Sequence, residues 1–398
     1  MENKLTESTL AEVCSLVTDG THDTPKRVST GFPLIKAKEI VTGQIDFSNC
    51  DQISEADHRK VVARSKPEFG DTLFTHIGAS LGAAAFVNTT REFSIKNIAL
   101  FKPNPDIIDS RYLYYLVVSP DFQSLAIGTK TGSAQPFLGL SQLRGHRIKY
   151  HHNIAMQRRI AGVLSAYDEL IENSDKRIKI LESMARTLYR EALDTVTESA
   201  TSRPIVDFPY WRFISENVSP YAGTKRYYAT ADIDGFALTG TGINYSFAEK
   251  PSRAQKQPIQ NSVWFARMRE TYKIAWYGPL KDERASGTIL SSGFAGFEAR
   301  HPELWPLLFL TVSSKEFHVQ KDLYCTGATQ MSLTNEGLAR IILPIPDEQT
   351  ARRLGRDTGP MLNAIAALQR RNENLHRSRN LLLPRLLSGQ IDVEAIPA

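Results

Sequence analysis

Cysteine is scarce: Cys14, Cys50 and Cys325 are the only three in 398 residues, odd in number and in no CxxC spacing. That excludes a disulfide framework and a cysteine zinc site, and leaves three small apolar residues expected to be buried. No apolar run approaches the roughly 20 residues that a membrane span needs. The opening Met1, Glu2, Asn3, Lys4 lacks the basic and apolar regions of a secretion signal, so a cytoplasmic protein is expected. Catalytic strings are missing or broken as well. No Walker A string is present. Asp207, Phe208, Pro209, Tyr210 lacks the first proline of a (D/N)PP(Y/F) turn, and Phe294, Ala295, Gly296, Phe297, Glu298 lacks the last glycine of an FxGxG loop, the two strings an amino-methyltransferase needs. The only acidic-x-Lys pair, Glu2 and Lys4, sits at the terminus, which argues against a restriction-nuclease metal site. His151 and His152 are adjacent, point in different directions and have no further ligand nearby in sequence, which argues against a metal role.

What the sequence does have is a repeat. Thr131, Gly132, Ser133, Ala134, Gln135 returns as Thr326, Gly327, Ala328, Thr329, Gln330, 195 residues later, and Leu138 and Leu143 match Leu333 and Leu338. Past a gap near residues 144–157 the offset becomes 194, and a stripe with spacings of three and four appears in both copies. Ile160, Leu164, Tyr167, Ile171, Ile178, Leu181 and Leu188 form the first stripe; Met361, Ile365, Leu368, Leu375, Leu382 and Leu386 form the second. This is the seam of a coiled coil, and the simplest partner for each helix is the other. The first helix is expected over about 154–196, with Asp168, Glu172, Lys176, Lys179 and Arg186 outward. The second starts at Asp347, a helix cap after Pro344 and Pro346, with Gly355, Gly359 and Pro360 interrupting its first turns. Asn372 and Arg379 break the second stripe; they either fix register or mark a face toward solvent or another subunit.

The remaining sequence mixes short β-type runs with turns. Pro33–Ile40, Asp71–His76, Ala83–Val87 and Asn97–Phe101 precede the first helix, with a helical stretch at Tyr112–Val118. Tyr228–Ile233, Val263–Ala266, Tyr272–Tyr277, Ile289–Ser292 and an aromatic-aliphatic run at Leu304–Val312 precede the second. With 41% hydrophobic residues the chain can build two globular units. The net charge of +5 suits a polyanion partner without demanding one.

The string Asp19, Gly20, Thr21, His22, Asp23, Thr24, Pro25, Lys26, the two Thr-Gly-x-x-Gln openings, and the tail Leu383, Pro384, Arg385, Leu386, Leu387, Ser388, Gly389, Gln390, Ile391 together resemble the DNA-specificity subunit of type I restriction-modification enzymes. The resemblance spans nearly the whole chain. It implies an α+β fold in which two globular target recognition domains, 1–153 and 201–346, are separated by two long antiparallel helices in a coiled coil, a central spacer helix at 154–200 and a C-terminal helix and tail at 347–398. The repeat is then pseudo-twofold. It further implies a prokaryotic, non-catalytic subunit that binds a bipartite sequence in double-stranded DNA with an unspecific spacer. Its partners are two modification subunits, which bind S-adenosylmethionine and methylate adenine, and motor-nuclease restriction subunits; no cofactor sits on this chain. One departure is that the second domain has no counterpart of the Gly20–Pro25 string, only Pro220, Tyr221, Ala222, Gly223, Thr224, Lys225, Arg226.

DNA reading needs cations and amides near base edges and phosphates. The candidates in the first domain are Thr21, His22, Thr24, Lys26, Arg27, Lys36, Lys38, Thr75, His76, Ser80, Lys130, Thr131, Ser133 and Gln135. Those in the second are Thr224, Lys225, Arg226, Tyr227, Arg267, Arg269, Tyr272, Lys273, Ser291, Ser292, Thr326, Thr329 and Gln330. For each cation the plainer reading is a solvated surface charge, and for Gln135 and Gln330 a turn that caps the next element. Two other functions stay open on sequence alone: a self-contained methyltransferase or nuclease, and a coiled-coil scaffold with no role on DNA. Lys26–Arg27 and Lys225–Arg226 are expected as phosphate contacts in equivalent parts of the two domains.

Overall fold

The computed structural model describes residues 5–41, 43–129, 137–194, 201–279, 283–328, 330–391 and 393. The chain divides into two compact units, Met1–Glu172 with Glu373–Ala398, and Asn173–Asn372. Both dividing points fall inside long helices, Ile154–Asp194 and Glu348–Leu387, so each unit owns part of each helix. Among the described residues no helix is long and apolar enough to cross a membrane.

In unit 1 one sheet is ordered Cys14–Asp19, Ala99–Pro103, Thr72–Phe74, Ala84–Phe86, every neighbour antiparallel. Alternation along its strands builds two cores, because successive side chains leave opposite faces. Phe74 and Phe101 pack with Tyr112, Leu113, Ile160, Leu164, Leu383 and Leu386. Leu73 and Leu100 instead meet Phe93 together with Ile35 and Ile95 of a second sheet. That sheet is ordered Ser94–Ile95, Phe32–Ile35, Asp51–Ile53, Arg27–Val28, its first pair parallel and the others antiparallel.

Unit 2 repeats this plan with little sequence in common. Its first sheet runs Trp211–Ile214, Phe294–Ala299, Ser262–Ala266, Ile274–Tyr277, again all antiparallel. Val263, Phe265 and Phe297 face Ala185, Tyr189, Leu362 and Ile365 of the long helices, while Trp264 and Phe294 face the other way. Gly296 makes room there, since a Cβ would lie 2.4 Å from the Trp264 ring. The second sheet again holds one parallel pair, Lys225–Tyr228 beside Thr288–Ser291, and the strand after it, Ile243–Tyr245, pairs antiparallel. In both units the first strand closes on a strand just before a long helix: Leu5–Thr9 on Arg147–His151, and Thr201–Pro204 on Ile342–Ile345.

The long helices pair antiparallel. In unit 1 His151 Nε2, just before the first helix, lies 3.1 Å from Leu386 O near the end of the second, and further on Arg379 Nη1 donates to Asp168 Oδ1 at 2.5 Å. In unit 2 Asn372 Nδ2 donates to Asp175 Oδ1 at 2.7 Å. Of the stripe, Ile160, Leu164, Ile171, Ile365, Leu368 and Leu386 are buried; Tyr167, Ile178, Leu181, Leu188, Met361, Leu375 and Leu382 are half-buried. Asn372 and Arg379 therefore belong to the seam.

Several expectations need correction. Asp168 does not face outward: it accepts from Tyr115 Oη at 2.6 Å as well as from Arg379. The second helix is continuous through Gly355, Gly359 and Pro360. Gly355 is glycine because a Cβ would lie 1.9 Å from Glu303 O. The helix tolerates Pro360 because its other turns bury Leu354, Thr358, Leu362 and Ile365, and that packing outweighs the one backbone bond proline forfeits. The cap itself is as read, Asp347 Oδ1 accepting from Thr350 N at 2.8 Å. Cys14 and Cys325 are buried, but Cys50 is only half-buried. The runs Pro33–Ile40 and Tyr228–Ile233 are not single strands: the first strand ends at Ile35 and at Tyr228, and a new one opens at Ile40 and at Ile233. Between them lies a short 3-10 helix, Ala37–Glu39 and Thr230–Asp232, whose acidic residue accepts from the backbone of Lys36 and Ala229 respectively.

Candidate nucleic-acid interface

The Gly20–Pro25 string is built from the backbone up. Gly20 N donates to Ile98 O at 2.9 Å and Thr21 N to Ile95 O at 3.0 Å. A Cβ on Gly20 would lie 2.1 Å from Ile95 O, so only glycine fits. The string then turns around Asp19, whose carboxylate is 3% exposed. His22 Nε2 reaches Asp19 Oδ2 at 2.9 Å, Arg64 donates to Oδ1, and His22 Nδ1 meets Asn97 Oδ1 at 2.8 Å. Thr24 accepts from Lys96. Lys26 is exposed and has no ion-pair partner among the described residues, whereas Arg27 and Lys36 are both drawn to Asp51. The Lys36 hydrogen bond holds the Asp51 carboxyl below its usual range. Lys38 is exposed, 3.2 Å from Glu39.

A second cluster appears where each first sheet ends, and it is common to both units. Leu138 N donates to His76 O at 2.9 Å, and Leu333 N donates to Arg267 O at 2.9 Å. The same two residues also bond through their side chains: His76 Nδ1 donates to Leu138 O at 2.9 Å, and Arg267 Nη1 to Leu333 O at 2.8 Å. The segment that follows the Thr-Gly-x-x-Gln string is thus tied to the end of a central strand by backbone and side chain in each unit. Burial lowers the pKa of both His76 and Arg267. In unit 2 Gly327 has φ +132°, and a Cβ would lie 2.6 Å from Gln330 O, which is the physical need for glycine in that string. Lys130, Thr131, Ser133, Gln135 and Thr329 lie outside the described residues.

The other candidates sort by whether their polar heads are already engaged. Thr75 and Ser291 are buried, Thr75 donating to Ala83 O at 3.0 Å and Ser291 Oγ accepting from Gly293 N at 3.2 Å; together with His76 they hold loops. Lys225 donates to Gln257 Oε1 at 2.6 Å and sits over the Tyr221 ring, with burial lowering its pKa. Lys273 donates to Thr230 O at 3.0 Å, and Tyr272 Oη to Asp322 Oδ2 at 2.9 Å. Tyr227 is half-buried against Tyr245, and Ser292 N donates to Arg253 O. Ser80, Thr224, Arg226, Arg269, Thr326 and Gln330 remain exposed. Lys26–Arg27 and Lys225–Arg226 are not equivalent: Arg27 begins an edge strand, while Lys225 and Arg226 lie in the strand that matches Phe32–Ile35 by its parallel partner.

Sequence reading missed Arg64, Lys96, Asn97, Gln257, Lys321 and Asn335, all of which buttress these loops from distant positions. A signal was available for part of this framework. The 195-residue offset extends back to Ser119 and Ser314, which cap equivalent helices by accepting from Phe122 N and Phe317 N. Among the described residues no group of three His, Cys, Asp or Glu side chains is placed to hold a metal.

No family model matches the chain. A putative type I restriction enzyme MjaX specificity subunit from Methanocaldococcus jannaschii is 24% identical over 97% of this chain and 93% of that protein. The type I restriction enzyme MjaIX specificity subunit of the same organism is 38% identical over 85 residues, 21% of this chain and 19% of that protein. The chain resembles type I specificity subunits along nearly its whole length. The crystal structure of a type I restriction-modification S subunit from M. genitalium superposes with a TM-score of 0.57 at 15% identity, covering 97% of this chain and 96% of that one. That likeness is one of fold: an α+β specificity-subunit architecture with two long helices.

Proposed function

We propose that this chain is the specificity subunit of a type I restriction-modification enzyme, a non-catalytic, cytoplasmic protein that selects a bipartite DNA sequence for its partners. The recognition domains are residues 1–153 and 201–346; the helix of 154–200 and the helix and tail of 347–398 space them and dock two modification subunits. Those partners carry S-adenosylmethionine and the methylation chemistry, and motor-nuclease subunits join the same assembly. The observation that carries the reading is the repeated strand order with its tied loop, His76 to Leu138 and Arg267 to Leu333, in a chain similar throughout to a named specificity subunit. Two copies of one binding plan with different exposed side chains suit two different half-sites. For docking, Leu170, Ile180, Met184 and Leu381 are exposed aliphatic side chains on the long helices; such surface is what partner helices cover.

The test is a methyl-transfer assay on duplex DNA with purified subunits. Activity is expected only when this chain and the modification subunit are combined. Methylation by this chain alone, or equal methylation of every duplex by the complex, overturns the reading.

A further inference from the structure

In unit 2 the segment Arg267–Tyr272 is held from beneath by a buried cation. Lys321, whose side chain is 0% exposed, donates from Nζ to Met268 O at 2.7 Å and Thr271 O at 3.3 Å, and pairs with Asp322 Oδ1 at 2.8 Å. Withdrawing an ammonium from water is costly unless its donors are satisfied, and here two of the three acceptors are carbonyls of one loop. Asp322 Oδ1 also accepts from Glu270 N at 3.0 Å. Glu270 holds φ +54°, in the left-handed region, which a non-glycine residue keeps only where its surroundings enforce it. The loop shape is therefore imposed by Lys321 and Asp322.

That stiff loop presents Arg269. Its side chain is 47% exposed, Nη1 rests on Met331 Sδ at 3.0 Å, and Nε is 3.7 Å from Glu270 Oε1. A thioether is a weak acceptor and the carboxylate is beyond hydrogen-bond range, so among the described residues most of this guanidinium's donors are unspent. Arg267, two residues earlier, is the opposite case, its terminal nitrogens given to Leu333 O and Asn335 Oδ1. In unit 1, with His76 matched to Arg267 by the shared leucine carbonyl, the position of Arg269 is occupied by Gly78, so this guanidinium has no counterpart there.

We propose that Arg269 reads a guanine edge in the half-site of unit 2, and that Lys321 is the positioning residue that holds its loop in reading geometry. The inference rests on the DNA-specificity reading above. A guanidinium fork held in fixed orientation matches the two major-groove acceptors of guanine; the same fork can grip a phosphate, and base preference against salt slope separates the two.

The experiment is selection from a randomised duplex pool by the full chain in its native complex, with salt titrations on the selected duplex. The wild type is expected to fix a G·C pair at one position. Arg269→Ala and Arg269→Lys should each lose roughly ten- to a hundredfold of preference at that pair and no other, and Arg269→Lys should keep the wild-type salt slope. An Arg269→Lys variant that selects like wild type shows that a point charge suffices and overturns the proposal. So does an Arg269→Ala variant that weakens all sequences equally and lowers the slope by about one, the mark of a phosphate contact. Lys321→Met should relax the same pair while the long helices keep their unfolding transition. Should that variant not fold, Asp322→Asn loosens the same loop and should relax the same pair; unchanged selection by the folded variant overturns the positioning role. A wild-type complex with no preference for any duplex would defeat the DNA-specificity reading itself, a result distinct from all of these.

Discussion

Asn372, a residue 8% exposed, donates to Asp175 across the paired helices at 2.7 Å, and its own Oδ1 has no partner among the described residues. With Arg379 it is one of two polar residues that interrupt the second stripe. Asp175 is exposed, whereas the Asn372 amide is buried, so the amide is the buried cost. Asn372→Leu should leave stability unchanged or raise it by about 1 kcal/mol, as for polar seam residues that fix register at a cost. Thermal unfolding checks this; a loss above about 1 kcal/mol would show the bond to be a net stabiliser.

Asp168 predicts the opposite sign. It accepts from Tyr115 Oη and Arg379 together, and its removal strands a buried phenol beside a half-buried guanidinium. Asp168→Ala should destabilise unit 1 by about 2 kcal/mol. Denaturant unfolding followed by a probe in unit 1 reads it, and an unchanged midpoint would contradict the role given to that carboxylate.

Phosphate contacts are expected from the exposed cations with donors to spare: Lys26 has no ion-pair partner among the described residues, and Arg226 is engaged through Nε, which donates to Asn244 Oδ1 at a long 3.4 Å. Lys26→Ala and Arg226→Ala should each lower the slope of log K against log salt by about one. Arg27→Ala and Lys225→Ala should lower it less, since Asp51 and Gln257 already engage those heads. Equal slopes for all four variants would contradict this division.

Acid should weaken unit 2 through His318. Burial first, then Lys321, depresses its pKa from 6.5 to about 4, with Arg186 adding to that and Asp322 opposing it, while the Tyr272 ring packs edge-on at 4.7 Å. The unfolded chain takes up a proton near pH 6.5 that the folded chain refuses, so stability is full above that value and falls as pH drops toward 4. The loss is on the order of 2–3 kcal/mol. His318→Phe should flatten the profile between those values; an unaltered profile would show that other groups govern it.

The long helices were legible because a three-and-four stripe repeated at a fixed offset leaves few alternatives, and the Asp347 cap was local chemistry. Their continuity through Gly355 and Pro360 was not, because it depends on the burial of Leu354, Thr358, Leu362 and Ile365 by distant residues, and the need for glycine at 355 on the approach of Glu303. The strands at Thr72–Phe74 and Ser262–Ala266 stood out as apolar runs, but the order of the sheets is a matter of non-local pairing. The site was legible only as a set of polar candidates. Whether a cation is free or spent depends on partners such as Asp51, Gln257 and Asp322, and nothing local in the sequence joins Arg267 to Leu333 or Lys321 to Met268.

The central claim, that each unit independently specifies one half of a split target, is tested most directly by exchanging residues 201–346 for the same span of a relative and mapping methylated adenines in cellular DNA. The account predicts that one half-site changes while the other is kept. A change in both halves, or in neither, would contradict it.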